Sequence, residues 1–402
     1  MINESLKNFS LLIEPTDLCN CNCIMCNRSK FPGFPFSRKY LIRNPKRGRF
    51  MSIENFQRLL SQIRDMTNYF CINEIYLHWF GEPLLHPHFL KLVEMIVNEN
   101  KKDRLCKALT FHTNAILFNK AKTKHFLAIV KDIDFPFSVT FSLDAVSTTT
   151  YARIRIGGNL NAAINNTKFL LKEGSKIEKL KFIVQFIVME ENLHEAVPFV
   201  EFWSKFLKEL DMKYKVAFNF IPAYAQKTHL IYLRQLDGGY KRPTQLKYNK
   251  LHAEVMRRFS SESFQSQNSP AQNPASIPKG IFYHGIELTE RSFFCSNLWD
   301  AIAVCWDGSA TLICDQWLAL NLGNINHLHL LEIIFNRENL NHIREKHILG
   351  EIKNPIKDCQ DCGIVYCEHN NLTNYYEIQR FTESEKRYMA DRETNPKLGW
   401  FT

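Results

Sequence analysis

Three cysteines near the N-terminus, Cys19, Cys23 and Cys26, stand at the spacing C-x3-C-x2-C. Three thiolates on one short loop can hold three corners of a [4Fe-4S] cube, because cysteine sulfur is the usual protein ligand of such clusters. A cube has four irons, so this set leaves one iron without a protein ligand and open to a small molecule. Zinc is the competing reading. Its sites usually take four ligands in C-x2-C pairs, and no histidine stands at close spacing here. Cys21 lies inside the same loop, so a C-x-C-x-C-x2-C set with a different choice of ligands stays open.

A second group of thiols comes late in the chain: Cys295, Cys305, Cys314, Cys359, Cys362 and Cys367. Cys359 and Cys362 form a C-x2-C pair, and a turn, WDGSATLIC (306–314), leads into Cys314. Cys295, Cys314, Cys359 and Cys362 have the number and type to close around one cube or one zinc. Cys305 is either a buried thiol or an active-site donor of a proton or hydrogen atom. The N-terminus, MINESLKNF, has no signal-peptide core, and no 18-residue apolar run could span a bilayer. A cytoplasmic location follows as the expectation, and there twelve cysteines argue for metal rather than disulfides. A net charge of +10 favours an anionic substrate or partner only weakly.

These groups need a scaffold, and the pattern between them supplies one. Strand-like stretches, FSLLIEPT (9–16), INEIYLHWF (72–80), CKALTFHTN (106–114), FSVTFSLD (137–144), LKFIVQFIVM (180–189) and YKVAFNFIP (214–222), alternate with helical ones. The helical stretches are 52–66, 88–99, 119–131, 158–174 and 192–210. The first is capped by Ser52 and has Ile53, Phe56, Leu59, Leu60 and Ile63 on one face. Six strands separated by helices predict parallel crossovers and an α/β architecture. Periodicity alone does not separate an open sheet from a barrel. A basic, aromatic stretch (28–50) with eight Lys/Arg and no acid follows the cysteine loop, as a solvated loop or as a lid for anionic groups. Residues 235–290 break the pattern with one helical stretch, YNKLHAEVMRRF (248–259), and a polar low-complexity run, and read as an insertion or linker. The tail (371–402) reads as a helix packing back on the barrel.

The cysteine loop, with Glu14-Pro15-Thr16 before it, Asn20 inside it and Ile24-Met25 before its last cysteine, resembles the signature of the radical SAM superfamily. Gly81-Glu82-Pro83 is similar to that family's GGEP, with Phe80 in place of the first Gly. Thr113-Asn114 is similar to TNG, with Ala115 in place of Gly, and Ser142-Leu143-Asp144 matches the SLD stretch. C-x18-C followed by C-x2-C, with Asp307-Gly308 before the second cysteine and LGNI (322–325) between, resembles the SPASM/twitch extension. The resemblance implies a partial (β/α)6 barrel over 1–234, the insertion at 235–290, a SPASM/twitch domain over 291–370, and the tail.

It further implies a [4Fe-4S] cluster on Cys19, Cys23 and Cys26 whose open iron binds S-adenosylmethionine, and one auxiliary [4Fe-4S] cluster on Cys295, Cys314, Cys359 and Cys362. In that setting Glu82 binds the SAM amino group and Arg155, favoured over Arg153, its carboxylate. Gly81, Pro83, Asn114, Ser142, Asp144 and Met25 complete the cofactor site, with Gln185 and Asn219 as lesser candidates. The implied activity is reductive cleavage of SAM to a 5′-deoxyadenosyl radical that takes a hydrogen from a substrate C–H, with a flavodoxin- or ferredoxin-type donor. The auxiliary spacing is similar to small-molecule alcohol dehydrogenases of aminocyclitol pathways. A peptide- or protein-modifying maturase is the alternative, and a zinc-binding interaction protein the remote one. The basic stretch alone is poor evidence for RNA, and nucleic acid is not expected as a partner.

Overall fold

The computed structural model describes residues 6–26, 49–236, 242–259, 282–289, 292, 295–315, 320–336, 338–351 and 372–394. Cys359, Cys362 and Cys367, nearly all of the basic stretch and the low-complexity run of the linker lie outside the described residues. In chain order the first strands are β1 (Lys7–Ile13), β2 (Asn22–Cys23), β3 (Phe70–Tyr76), β4 (Ala108–Thr113), β5 (Phe137–Ser142), β6 (Arg155–Ile156) and β7 (Leu180–Val188). Then come β8 (Tyr214–Ala217), β9 (His229–Gln235), β10 (Phe282–Tyr283), β11 (Ile286–Glu287), β12 (Ala301–Val304), β13 (Ser309–Thr311) and β14 (Gly323–Asn324). The chain divides into two compact units. One comprises Met1–Ile13, Met51–Asn73 and Gln265–Thr402, the other Glu14–Phe50 and Glu74–Phe264.

The second unit is a parallel α/β assembly. The last residues of β3 pair with β4, and β4, β5, β7, β9 and β8 follow in that order, all parallel. Helices Phe89–Asp103, Lys120–Val130, Leu160–Gly174 and Ala196–Glu209 lie between successive strands in the chain. Side chains alternate across each strand. Phe111 therefore meets the helices, packing on Phe89 at 5.1 Å and Phe126 at 5.8 Å, as Phe186 does on Phe199 at 4.9 Å. His112, Thr140, Gln185, Tyr232 and Arg234 fall on the opposite, inner face.

The sixth strand differs from expectation. The stretch 214–222 yields only the short, half-exposed β8, while β9 takes the place beside β7. HLIYLRQ (229–235) carries the continuous apolar run of a strand covered on both faces, and its first five residues are buried. The helix of the linker also starts earlier, at Arg242, and runs to Phe259. Between β8 and β9 the chain crosses the N-terminal ends of the inner strands. Ala223 N donates to Glu74 Oε2 at 2.9 Å, and Ser138 Oγ donates to Gln226 Oε1 at 2.5 Å.

In the first unit β1 runs parallel to β12, which forms an antiparallel hairpin with β13, and β14 pairs at the edge. Helix Ile53–Met66 forms as expected: Ser52 Oγ accepts from Asn55 N at 3.1 Å, and Phe56, Leu59, Leu60 and Ile63 are buried. Phe70 stacks on Phe335 at 5.3 Å, and Trp299 meets Phe381 edge-on at 5.4 Å. The tail helix Leu372–Thr394 joins this core, Ser384 Oγ donating to Tyr69 O at 2.9 Å. Lys7 is buried there and pairs with Asp300 and with Glu377, the latter at 2.6 Å.

Candidate active site

The cysteine loop is held at its entrance by local chemistry. Thr16 Oγ1 donates to Arg49 O at 2.6 Å and accepts from Leu18 N at 3.1 Å, and Arg49 forks onto the Asp17 carboxylate. Arg49, the described cation of the basic stretch, thus spends its charge on the loop. Within it, Cys21 N donates to Cys19 Sγ at 3.4 Å, and Cys26 N to Cys23 O at 3.1 Å. The Cys21 thiol is hydrogen-bonded to the sulfurs of Cys19 and Cys23, which together with burial raises its pKa. Cys19, Met25 and Cys26 are half-buried, Cys21 and Cys23 buried.

Two strand ends press against this loop. Gly81 lies so close that a Cβ would sit 2.8 Å from Leu18 O and nearer still to Thr16 O, so only glycine fits. Glu82 N donates to Leu18 O at 2.7 Å. The buried Glu82 carboxylate accepts from Leu84 N (3.2 Å), Thr113 Oγ1 (2.7 Å) and Asn114 N (2.8 Å). Burial pushes its pKa up, while those three donors and the Arg155 charge oppose the rise. Pro83 opens a short 3-10 turn, Pro83–Leu85, capped by Glu82. Asn114 Nδ2 donates to Asn20 Oδ1 at 2.8 Å and reaches Cys21 Sγ at 3.7 Å. Ala115 follows in the left-handed conformation, φ 63°, the geometry a glycine there would favour.

Arg155 joins the site from the other side. Strand β6 pairs antiparallel with β2, setting Arg155 opposite Cys23. Its guanidinium is buried, with Nη1 at 3.6 Å from Cys23 Sγ and with Nε and Nη2 on Asp144 Oδ2 at 2.9 and 2.6 Å. Burial lowers the Arg155 pKa, but the Asp144 and Cys23 charges outweigh it and raise it overall. Arg153 is exposed. Asp144, at φ 63°, also accepts from Ile187 N at 2.7 Å. Ser142 Oγ accepts from Gln185 Nε2 at 3.4 Å, and Asn219 is exposed.

In the first unit Cys295 and Cys305 are buried and Cys314 is half-buried. Cys305 closes the β12–β13 hairpin: its N donates to Ser309 O at 2.8 Å, and Gly308 N donates to its carbonyl at 2.9 Å. Gly308 has φ +84°, and Asn324 Nδ2 donates to Asp307 O at 3.0 Å, so the DG and LGNI stretches meet. Beside Cys314, Asp315 Oδ2 accepts from Thr311 Oγ1 (2.6 Å) and Leu320 N (2.8 Å).

The family model of the radical SAM superfamily matches residues 13–202, and that of the SPASM iron–sulfur cluster-binding domain matches 295–363. The chain belongs to the radical SAM superfamily and carries a C-terminal SPASM domain. A solved structure of native anSMEcpe with bound AdoMet has TM-score 0.53 at 18% identity, over 96% of this chain and 99% of that one. BtrN in complex with AdoMet and 2-DOIA gives TM-score 0.42 at 13% identity, over 89% and 93%. A probable GTP 3′,8-cyclase of Methanococcus maripaludis (strain C5 / ATCC BAA-1333) is 25% identical over 180 residues, 45% of this chain. The chain spans about half the length of the curated relatives it matches, 50% for that cyclase.

The radical SAM and SPASM domains imply a SAM-binding [4Fe-4S] cluster and an auxiliary cluster, and the protein is an enzyme. The first site fits that cofactor. Its donors are soft thiolates, a guanidinium faces one sulfur, and Gly81 brings the second strand end against the loop. No helix among the described residues is long and apolar enough to cross a membrane. His78, His112 and Arg234, on or just beyond three different inner strands, are not legible in the sequence as site residues, because only strand register brings them to one face.

Proposed function

We propose that this enzyme reductively cleaves S-adenosylmethionine and removes a hydrogen atom from a C–H of a small polar molecule, an aminocyclitol- or sugar-like substrate, in an oxidation. The observation that carries this reading is the convergence of Gly81, Glu82, Asn114, Asp144 and Arg155 on one cysteine loop. Cys19, Cys23 and Cys26 are the ligands in this reading, and Cys21, engaged by Asn114, packs the loop. When bound, the cluster supplies the electron that splits SAM into methionine and a 5′-deoxyadenosyl radical. The chain's own residues do the positioning. Glu82 fixes the Pro83 turn to the ends of β3 and β4, Asp144 aims Arg155, and Arg155 sets positive charge beside Cys23. Gly81, Pro83, Ser142 and Met25 complete the SAM wall. Cys295, Cys314, Cys359 and Cys362 hold the auxiliary cluster in this reading, and Cys305, buried at the β12–β13 hairpin, is the candidate donor of a proton or hydrogen atom. A flavodoxin- or ferredoxin-type protein supplies the electron.

The small-molecule reading rests on the polar inner face and on the spacing of the late cysteines. Anaerobic reconstitution followed by SAM and dithionite tests the first step. The wild type is expected to release 5′-deoxyadenosine with about eight irons per chain, two cubes' worth. The triple variant Cys19→Ala, Cys23→Ala, Cys26→Ala is expected to keep about four and release none. Cleavage by that variant would sink the assignment. Deuterium transfer into 5′-deoxyadenosine from a deuterated aminocyclitol supports the substrate class. Transfer only from a deuterated peptide replaces it with the maturase reading.

A further inference from the structure

His78, His112, Thr140 and Arg234 have no role in the setting of the cysteine loop described above, yet they share the inner face of the second unit. His78, just beyond β3, and His112 on β4 stack with ring centroids 3.8 Å apart and planes within 15°. Strand register sets His112 beside Thr140 of β5, and Arg234 of β9 beside Ile187 of β7. His78 Nδ1 and Thr140 Oγ1 are buried without a hydrogen-bond partner among the described residues. Such an atom left unsatisfied costs about 1–3 kcal/mol, so two on one face offer hydrogen-bonding places that water or a bound molecule can fill.

Charge singles out the kind of ligand. Burial first, and the Arg234 charge second, hold the His78 pKa down to about 3. Burial, His78 and Arg234 hold His112 well below its ordinary value. Both rings are therefore neutral at physiological pH. They can stack without mutual repulsion, and each keeps one N–H to donate. Arg234 is the cation whose field reaches both rings, and guanidinium pairs well with planar or tetrahedral oxyanions.

We propose that this inner face binds the substrate through an anionic group, a carboxylate or a phosphate, paired by Arg234 and hydrogen-bonded by the stacked His78 and His112. Thr140 adds a hydroxyl donor at the same level. The inference rests on the proposed function, in that it takes the inner face as the substrate side of the SAM site. It narrows that substrate to one bearing an anion.

Isothermal titration of the anaerobically reconstituted wild type with sodium phosphate, and separately with sodium acetate, at constant ionic strength tests it. One of the two is expected to saturate a single site, phosphate pointing to a phosphorylated substrate and acetate to a carboxylated one. Arg234→Gln is expected to weaken that binding by roughly tenfold or more, the worth of a hydrogen bond to a charged group. Arg234→Lys, which keeps the charge, is expected to retain most of it. His112→Phe keeps a ring in the stack but removes its donor, and gives a second reading should Arg234→Gln not fold. No binding of either anion by the wild type, or equal binding by Arg234→Gln and His112→Phe, overturns the proposal. Release of 5′-deoxyadenosine from the same wild-type sample separates the two readings. Anion binding without SAM cleavage leaves this site standing and removes the proposed function; cleavage without anion binding does the reverse.

Discussion

Arg155 gives two N–H groups to a single oxygen of Asp144, at 2.9 and 2.6 Å, while its remaining nitrogen faces Cys23 Sγ at 3.6 Å. The other Asp144 oxygen accepts from Ile187 N at 2.7 Å. One buried carboxylate thereby links β7 to β6 and, through Arg155, to the loop that carries Cys23.

Removing one member of this pair leaves the other charged and buried, which typically costs about 3–5 kcal/mol. Arg155→Met is expected to destabilise the second unit by about that much, seen as a lower thermal midpoint. The double variant Arg155→Met, Asp144→Asn is expected to recover part of the loss, because no unpaired charge remains and Asn tolerates φ 63°. Midpoints by circular dichroism decide it. A double variant no better than the single one would show that the pair is not the source of the cost.

Gly81→Ala places a methyl 2.8 Å from Leu18 O and closer to Thr16 O, both main-chain atoms that cannot swing aside. The loop must shift or the strand end must, and in either case Cys19 and Cys23 lose their setting. Iron bound after reconstitution is expected to fall, with the auxiliary iron retained. Full iron loading in this variant would show the close approach to be dispensable.

Glu74 gives a pH dependence of definite sign. Burial raises its pKa from 4.5 to about 8, against hydrogen bonds with Ala223 N and Tyr76. A carboxyl whose folded pKa is raised contributes its stability fully below 4.5, and that contribution is lost as pH rises through about 8. Glu74→Gln still accepts from Ala223 and cannot ionise. Stability against denaturant is expected to fall between about pH 5 and about pH 9 in the wild type and to stay flatter in the variant. Parallel curves would contradict the raised value.

Gly308 turns the β12–β13 hairpin at φ +84°, where a Cβ would meet Asn326 Nδ2 at 2.7 Å and Asn324 Oδ1 at 2.9 Å. Gly308→Ala is expected to destabilise the first unit by roughly 1–2 kcal/mol for the left-handed backbone, more if the asparagines cannot yield. The readout is the thermal transition of that unit, and an unchanged transition would mean that the turn relaxes freely.

What sequence reveals here is set by how local each relationship is. The cysteine loop, Gly81-Glu82 and the Ser52 cap are legible because their partners or spacings lie within a few residues. Arg155 is legible as a candidate, but its bond to Asp144 is not, because the two read as separate motifs until β6 pairs with β2. The exchange of β8 and β9 is hidden because 214–222 and 229–235 both carry strand-like residues, and only pairing shows which of them lies beside β7. His78, His112 and Arg234 belong to three strands far apart in the chain, and nothing short of register joins them. Ala115 shows the converse: the glycine of the motif has changed, yet the left-handed turn persists.

The segment between β8 and β9 is tied by Ala223 to Glu74 of β3 and by Gln226 to Ser138 of β5. One short crossing loop thus straps two strands that lie far apart in the chain, so loosening it is expected to be felt at both strands at once.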